Sequence, residues 1–236
     1  MIGIIGAMED EISLLCESMG KFAVQEIAGY EFFTGKLEGK DIVLLRCGIG
    51  KVNAAIGCAL LIRQFNPRCV INTGSAGGIN PALKVGDAII SAGLIYHDVN
   101  VTAFNYAPGQ LPHQPQIFPA DDYLANLAQS AIDELKSEKI LPGSFNYCKG
   151  IIGSGDVFVH EPERIAEIRR VFPDIDAVEM EGAAIAHCCY LFSIPALVIR
   201  ALSDVAGAES AVSFKEFLPV ASKHSASIVM RILRQI

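Results

Sequence analysis

The sequence predicts an α/β fold in which a central, mostly parallel mixed and twisted sheet is flanked by helices, giving three layers. Short aliphatic runs that end in glycine or in polar residues alternate with runs of helical period along the chain. This alternation is typical of a covered, mostly parallel sheet. No low-complexity linker, internal repeat or break in composition divides the 236 residues. We therefore expect a single domain that spans residues 1–236.

The first third of the chain predicts three strands and two helices. The apolar run 2–6 ends at a glycine, as a buried strand does, and Glu9–Met19 has apolar residues at helical spacing. Runs 30–35 and 41–47 predict two strands around a Gly-Lys turn. The Ala- and Leu-rich run 50–65 predicts a helix, which a proline two residues later stops.

The middle of the chain predicts two strands and one long loop. Residues 70–73 form a short aliphatic run that leads into the Gly-Ser-Ala-Gly-Gly segment 74–78, and residues 88–95 form another run typical of a strand. Residues 98–120 are rich in Asn, Gln, Pro and Gly, with scattered aromatic residues. We expect this segment to be a surface loop, and loops of that length usually have a function.

The alternation of helices and strands continues to the end of the chain. A cap residue, or a proline in the first turn, marks the start of a helix, and uninterrupted aliphatic runs mark buried strands. These criteria place helices at 121–135, 161–171, 182–191 and 213–233, and strands at 148–153, 177–178 and 195–202.

Charge and cysteine content argue against several classes of protein. The formal net charge of −7 argues against a general nucleic-acid binder, which needs a basic face, and against binding to an anionic membrane surface. The seven cysteines are an odd number without a C-x-x-C pair, which is typical of reduced thiols in the cytosol. The first residues lack the basic region of a signal peptide, and no apolar run is long enough to span a bilayer. We therefore expect a cytoplasmic protein that binds neither nucleic acid nor membrane.

Three common ligand-binding patterns are incomplete in this sequence. Segment 48–51 lacks the earlier glycine and the following Ser or Thr of a phosphate-binding P-loop. Segment 3–6 lacks the glycine spacing of a dinucleotide-binding turn. The five histidines are scattered, without the spacing of metal ligands. We therefore expect neither a metal nor an organic cofactor.

Four polar segments follow predicted strands, where ligands bind in open α/β sheets. The three glycines of 74–78 would either let backbone N–H groups approach a ligand or form a sharp turn with positive φ. Segments 9–11 and 179–181 carry carboxylates that would either face a pocket or complement a helix dipole. Asp204 ends the most apolar strand, as a proton donor or as a turn or cap residue, and Arg200 inside that strand needs a partner.

Taken together, short motifs along the sequence resemble those of a known family. They run in order over almost the whole chain, at 3–11, 48–52, 72–78, 83–87, 98–104, 154–158, 178–181 and 200–205. In this order they resemble the nucleoside phosphorylase and nucleosidase family, which implies a nucleoside phosphorylase-like α/β fold. The resemblance is greatest to members that hydrolyse the N-glycosidic bond of 5′-methylthioadenosine and S-adenosylhomocysteine, releasing adenine and the 5-thioribose product.

The resemblance implies roles for individual residues. Glu11 would be the base that activates the attacking water, and Asp204 the acid that protonates adenine at N7. Because burial disfavours a charged carboxyl, we expect Asp204 to hold or share a proton near neutral pH. The residues implied to contact or support the substrate are Met8, Ile49, Ser75, Ala76, Gly77, Phe158, Val159, Glu179, Met180, Glu181, Arg200, Ser203 and Phe214. The residues implied to complete a partner subunit's pocket in a homodimer are Val101, Phe104, Tyr106 and Pro112.

Segment 9–11 favours water over phosphate as the nucleophile. Its three carboxylates, at a place where relatives use arginine to hold phosphate, would repel an anion. The alternatives are an aminodeoxyfutalosine or 5′-deoxyadenosine nucleosidase, a phosphate-dependent purine nucleoside phosphorylase, and a purine-nucleoside binder without activity. The joint presence of Glu11, Glu181 and Asp204 argues against the last, because a binder needs no proton donor.

Overall fold

The computed structural model describes residues 1–205 and 210–236, and only the backbone of residues 210–213. The described residues form ten strands and six α-helices. The strands are β1 (Ile2–Gly6), β2 (Phe22–Ile27), β3 (Tyr30–Leu37), β4 (Lys40–Arg46), β5 (Val70–Gly78), β6 (Ala88–Tyr96), β7 (Phe118–Pro119), β8 (Tyr147–Ser154), β9 (Ile175–Glu179) and β10 (Ala196–Val205). The helices are α1 (Glu9–Met19), α2 (Lys51–Phe65), α3 (Asp122–Ser137), α4 (Pro162–Val171), α5 (Gly182–Phe192) and α6 (Ser210–Gln235).

The strands form one mixed sheet that partly closes on itself. Its order is β2-β3-β4-β1-β5-β9-β8-β6-β10, with β7 paired to β6. Strand β10 also pairs in parallel with β5, from Ala196 beside Val70 to Val205 beside Gly78, so that β5, β9, β8, β6 and β10 make a closed ring. Five pairings are parallel and five are antiparallel in the described chain. The predicted mixed α/β sheet is confirmed, with a larger antiparallel share than the sequence indicated.

Helices cover both faces of the sheet, as the three-layer prediction requires. On one side α2 and α5 pack against each other and against a core that includes Leu45 and Val198. On the other side α1, α3 and α6 pack over Ile4, Ile71 and Ile199. Helix α4 covers a smaller cluster beside β9. In the described part of the chain, no helix is long and apolar enough to cross a membrane.

Most predicted elements agree with the structure to within a few residues, and the differences have physical reasons. Strand β2 has no sequence prediction, because it is an edge strand with mostly exposed side chains that follows no buried apolar pattern. Residues 98–120 are mainly a loop, as predicted, apart from a short 3₁₀ turn at Thr102–Phe104 and strand β7. Strand β5 continues to Gly78 through the segment that was predicted only as a polar continuation of a shorter strand.

The topology brings the predicted polar segments to one place. Strands β1, β5 and β10 are parallel neighbours, so the segments at their carboxyl ends lie at the same edge of the sheet. Strand β9 runs antiparallel to β5 and places Val178 beside Gly77. The carboxylates that follow β9 therefore lie against the glycine-rich part of β5.

Candidate active site

A cavity of about 270 Å³ opens at this edge of the sheet. It is lined by Ala7, Met8, Glu11, Ile49, Ser75, Ala76, Gly77, Phe158, Val178, Glu179, Met180, Glu181, Ser203, Asp204 and Phe214. The structure thus brings together almost all of the residues that the resemblance implied. Ala7 and Val178 line the cavity without having been predicted, because small or aliphatic residues at strand ends give no chemical signal. Val159 lines a small adjoining cavity beside Phe158.

Glu11 lies in the first turn of α1 and is buried. Its Oε2 accepts hydrogen bonds from the backbone N–H groups of Ala7 at 2.8 Å and Met8 at 3.2 Å. Its Oε1 accepts from the Ser75 backbone N–H at 2.9 Å and from Ser75 Oγ at 3.0 Å. An ionised carboxylate only accepts hydrogen bonds, and all four of these partners donate. The site therefore holds Glu11 in one orientation as an acceptor.

The glycines of segment 74–78 are required by the two carboxylates that lie over them. A Cβ atom added to Gly74 would lie 2.7 Å from Glu11 Oε1, and one added to Gly77 would lie 3.1 Å from Asp204 Oδ2. Neither glycine has a positive φ, and both belong to β5. The alternative of a sharp turn with positive φ is therefore wrong at these two glycines, which make room for the carboxyl groups of Glu11 and Asp204.

Asp204 is the next-to-last residue of β10 and is buried. The register of β10 against β5 shifts between Leu202 and Asp204, and such a bulge re-aims the side chains beyond it. Ser203 Oγ donates a hydrogen bond to Asp204 Oδ1 at 3.0 Å. The carboxyl group thus reaches the cavity through the irregular end of the strand, on a side chain that a hydroxyl holds in place.

Glu181 is the N-cap residue of α5 and is buried. Its Oε1 accepts a hydrogen bond from the Gly50 backbone N–H at 2.8 Å, just before α2 begins. Burial first, and then the neighbouring Glu179 carboxylate, raise the pKa of Glu181 to about 8. Burial thus favours the neutral form of this side chain well above the pH at which a free carboxyl group ionises.

Glu179 serves mainly to organise the site. Its carboxylate accepts hydrogen bonds from Ser154 Oγ, from the Glu181 N–H at 3.1 Å and from the Gly182 N–H at 2.7 Å. It also forms an ion pair with Arg200. Although Glu179 lines the cavity, these contacts use its oxygens to fix the start of α5, and with it the position of Glu181.

Arg200 does not line the cavity but lies behind the carboxylates. It is buried, pairs with Glu179 and donates to Asn72 Oδ1 at 2.7 Å. Burial acts to lower the pKa of Arg200, but the surrounding carboxylates, Glu179 first, outweigh it and raise that pKa. The charge inside the most apolar strand thus has the partner that the sequence required. The sequence could have indicated where Arg200 lies, because Asn72 is a polar residue in the aliphatic run 70–73.

Apolar side chains form the other walls of the cavity. Phe158 and Phe214 lie edge to face with their ring centroids 5.8 Å apart. Met8, Ile49 and Met180 contribute further apolar surface. An aromatic face beside a row of carboxylates suits a ligand that combines a flat base with a polar sugar.

The residues implied to serve a partner subunit lie elsewhere. Val101, Phe104, Tyr106 and Pro112 do not line the cavity described above. Phe104 is 75% exposed, although it is a large apolar residue. Ile49, which precedes α2, and Val52 and Ile56 of α2 are also exposed. Within the described residues, these side chains leave apolar surface uncovered on both the loop and the rim of the site.

The described residues offer no group of three or more His, Cys, Asp or Glu side chains that could hold a metal ion. The carboxylates of the cavity accept hydrogen bonds from backbone N–H groups and hydroxyl groups, and Glu179 also pairs with Arg200. What the arrangement offers chemically is proton transfer and the stabilisation of positive charge.

Comparison with known proteins gives one consistent family. A family model described as the phosphorylase superfamily matches residues 1–234. The chain is 48% identical over 230 residues to the 5′-methylthioadenosine/S-adenosylhomocysteine nucleosidase of Lysinibacillus sphaericus, covering 98% of this chain and 97% of that protein. It is 49% identical to the protein of the same name from Geobacillus thermodenitrificans, covering 98% and 94%.

Solved structures are similar over the full length as well. The nucleosidase of the same name from Neisseria meningitidis, in complex with methylthio-immucillin-A, superposes with a TM-score of 0.94 at 45% identity, covering 100% of this chain and 99% of that chain. The futalosine hydrolase of Helicobacter pylori superposes with a TM-score of 0.91 at 32% identity, covering 100% and 97%.

Proposed function

The chain belongs to the phosphorylase superfamily, and we propose that it is a hydrolase that cleaves the N-glycosidic bond of 5′-methylthioadenosine and S-adenosylhomocysteine. The products are adenine and methylthioribose or S-ribosylhomocysteine, and residues 1–236 act as one catalytic domain. The names of the relatives at 48% and 49% identity support this substrate class.

The observation that carries the proposal is the charge of the cavity wall. Four carboxyl groups line it, those of Glu11, Glu179, Glu181 and Asp204. The described lining includes no lysine or arginine side chain, and the sequence places neither residue type in 206–213. A phosphorylase must bind an anionic phosphate beside the sugar, which this wall would repel. Water is therefore the nucleophile that the site accepts.

Asp204 acts as the general acid. Adenine is a poor leaving group until a ring nitrogen is protonated, and a buried carboxylic acid beside the base supplies that proton. Ser203 Oγ donates a hydrogen bond to Oδ1 and so orients the carboxyl group that protonates N7. Phe158 stacks on the adenine ring and holds it in reach of Asp204.

Glu11 acts as the general base on the other side of the bond. It lies over Gly74 and Asp204 lies over Gly77, and three residues of strand span roughly 10 Å. The two carboxyl groups therefore lie over different parts of the strand, and the sugar and one water are placed between them, as in glycosidases that invert configuration. Glu11 orients this water and takes its proton as the water attacks the anomeric carbon.

Glu181 binds the ribose hydroxyl groups and stabilises the transition state. As the bond to adenine breaks, the sugar becomes cationic and resembles an oxocarbenium ion. A carboxylate fixed beside it stabilises that charge more strongly than the neutral ground state. Burial raises the pKa of Glu181, and a positive charge that develops beside the carboxyl group lowers that pKa again, which favours the ionised form in the transition state.

The test is an assay of products in phosphate-free buffer. Purified protein is incubated with methylthioadenosine, S-adenosylhomocysteine, aminodeoxyfutalosine, 5′-deoxyadenosine or inosine, and the products are separated and weighed by mass spectrometry. We expect free adenine and the 5-thioribose product from the first two, at a rate that added phosphate does not change. Production of ribose 1-phosphate analogues, or a rate that rises steeply with phosphate, would overturn the proposal.

We further propose that the working form is a homodimer in which Val101, Phe104, Tyr106 and Pro112 complete the partner's cavity. The exposed apolar surface of Phe104 and of the start of α2 supports this arrangement. The test mixes Phe104→Ala protein with Glu11→Gln protein under conditions that exchange subunits. If both variants are inactive alone, the mixture should regain activity in about a quarter of its sites, because only mixed dimers contain one complete site. No regain of activity, with exchange shown by mass, contradicts the arrangement.

We also propose a cytoplasmic location. All seven cysteines are free thiols, and Cys58 Sγ and Cys189 Sγ lie 3.7 Å apart without a bond. Thiols this close stay reduced in the cytosol. Fractionation of the source cells with an antibody against the protein tests this location.

A further inference from the structure

Three charged residues outside the substrate cavity connect the segments that form it. Lys51 is the first residue of α2, Asp98 follows β6, and Asp156 follows β8. Lys51 Nζ lies 2.6 Å from Asp98 Oδ2, and the same Oδ2 accepts a hydrogen bond from the Asp156 N–H at 2.9 Å. None of the three lines the substrate cavity. We call this group the clasp.

The clasp is continuous with the residues that would bind the sugar. Asp156 Oδ1 accepts a hydrogen bond from the Lys51 N–H at 2.8 Å. The preceding Gly50 N–H donates to Glu181 Oε1 at the same distance of 2.8 Å. Two neighbouring backbone N–H groups at the start of α2 are thus held by two carboxylates from different segments. A shift of the start of α2 moves the donor that orients Glu181.

The clasp is also continuous with the wall that would stack on the base. Asp156 is two residues before Phe158, and the Gly155 N–H donates to the Glu179 backbone oxygen at 3.1 Å. The Asp156 N–H donates to Asp98 Oδ2. The backbone N–H groups of Gly155 and Asp156 are thus both hydrogen-bonded just before the chain reaches Phe158. Phe158 itself is 40% exposed, so these backbone contacts contribute to its position together with its packing against Phe214.

The ion pair at the centre of the clasp is shielded from solvent. The exposed fractions of the Lys51 and Asp98 side chains are 21% and 16%, against 32% and 88% for the surface pair of Lys149 and Asp122. Lys51 Nζ also lies 5.5 Å from the centroid of the Tyr96 ring. Burial acts to raise the pKa of Asp98, but Lys51 and the Asp156 N–H outweigh it and lower that pKa. The pair is therefore charged and fixed, in contrast to an exposed pair of the same residue types.

We infer that Lys51, Asp98 and Asp156 are positioning residues that set the distance between the sugar-binding carboxylate Glu181 and the base-stacking ring of Phe158. This inference rests on the proposed function, because it assigns both groups to one nucleoside. The clasp holds the two walls at the separation that a sugar and an attached base require, so that the bond to be broken lies between Glu11 and Asp204. Loss of the clasp would leave the chemistry in place but misalign the substrate.

The test compares Lys51→Met, Asp98→Asn and the double variant with the unaltered protein. Because misplacement by about 1 Å costs on the order of 10²-fold in rate, we expect kcat/KM for methylthioadenosine to fall by about 10- to 100-fold. We expect much of this loss to appear as a higher KM, together with weaker equilibrium binding of adenine alone. The double variant should be no worse than either single variant, because each breaks the same clasp. Lys51→Arg, which keeps the charge, should retain most of the activity.

The matched control is Lys149→Met, which breaks an ion pair of 2.8 Å with Asp122 away from the cavity. It should leave kcat/KM unchanged. The inference is overturned if Lys51→Met lowers only the melting temperature while kcat/KM and adenine binding stay as they were, or if the two single losses add in the double variant. The unaltered protein is assayed first: if it cleaves no nucleoside, the proposed function fails, whereas normal cleavage with an unaffected Lys51→Met variant rejects only the clasp.

Discussion

Gly74→Ala tests whether Glu11 requires its exact position. The new methyl carbon would lie 2.7 Å from Glu11 Oε1 and 2.9 Å from the carboxyl carbon. An ordinary contact between these atoms needs about 3.5 Å, so Oε1, at 2.7 Å, has to move by roughly 0.8 Å. Four hydrogen bonds from Ala7, Met8 and Ser75 resist that movement. The strand backbone has no such difficulty, since Gly74 has an ordinary φ.

The magnitude of the effect follows from this geometry. A displacement of just under 1 Å of a catalytic group costs on the order of 10- to 100-fold in rate, and we expect this loss in kcat for adenine release. Overpacking of the buried site should also cost about 1–3 kcal/mol of the free energy of unfolding.

The assay measures kcat spectrophotometrically and stability by urea unfolding, with Gly143→Ala as the matched control. No described atom lies within 4 Å of a Cβ added at Gly143, and its φ is not positive. The control should keep its kcat, and its free energy of unfolding should rise by up to about 1 kcal/mol, because alanine restricts the unfolded chain. A Gly74→Ala protein with the kcat of the control would refute the requirement for a fixed Glu11.

Two further predictions concern Glu181 and Ser203. Because the pKa of Glu181 is about 8 in the folded protein and 4.5 as a free side chain, the folded state binds a proton that the unfolded state has lost between these pH values. The contribution of the Glu181 carboxyl group to the free energy of unfolding is therefore complete below pH 4.5. It falls as the pH rises above 4.5 and is lost as the pH rises through 8. The melting temperature of Glu181→Gln, measured relative to that of the unaltered protein, should therefore rise from pH 5 to pH 9. A difference in melting temperature that does not change with pH would contradict the raised pKa. Ser203→Ala removes the donor to Asp204 Oδ1 and should lower kcat about tenfold, which is the worth of one hydrogen bond to a carboxyl group. Ser222→Ala serves as its control, because the buried Ser222 Oγ has no hydrogen-bond partner in the described structure, and equal kcat values in the two variants would contradict the role of Ser203.

The sequence was sufficient to predict the parts of the fold and site that depend on local pattern. Helix α1 has its predicted bounds, because its apolar spacing and its acidic first turn agree. Glu11 and Asp204 face one cavity, as expected for polar residues at the carboxyl ends of strands that run parallel to β5. These predictions succeed because each needs only the strand end and the residue type.

The remaining features depend on tertiary contacts that no local pattern records. Segment 74–78 continues as a strand because β10 pairs with it as far as Gly78. The glycines are explained by carboxylates that arrive from α1 and β10. Arg200 lies behind Glu179 rather than on the cavity wall, since its direction depends on the strand register.

The single-turnover rate of adenine release by Asp204→Asn shows whether Asp204 is the proton donor. Asparagine keeps the size of the side chain but cannot donate a carboxyl proton to N7. We expect a rate lower by about 10²–10⁴-fold, with an unchanged melting temperature and retained binding of adenine. Adenine release at the rate of the unaltered protein would show that the proton comes from elsewhere and would contradict the assignment of acid and base to the two sides of the glycosidic bond.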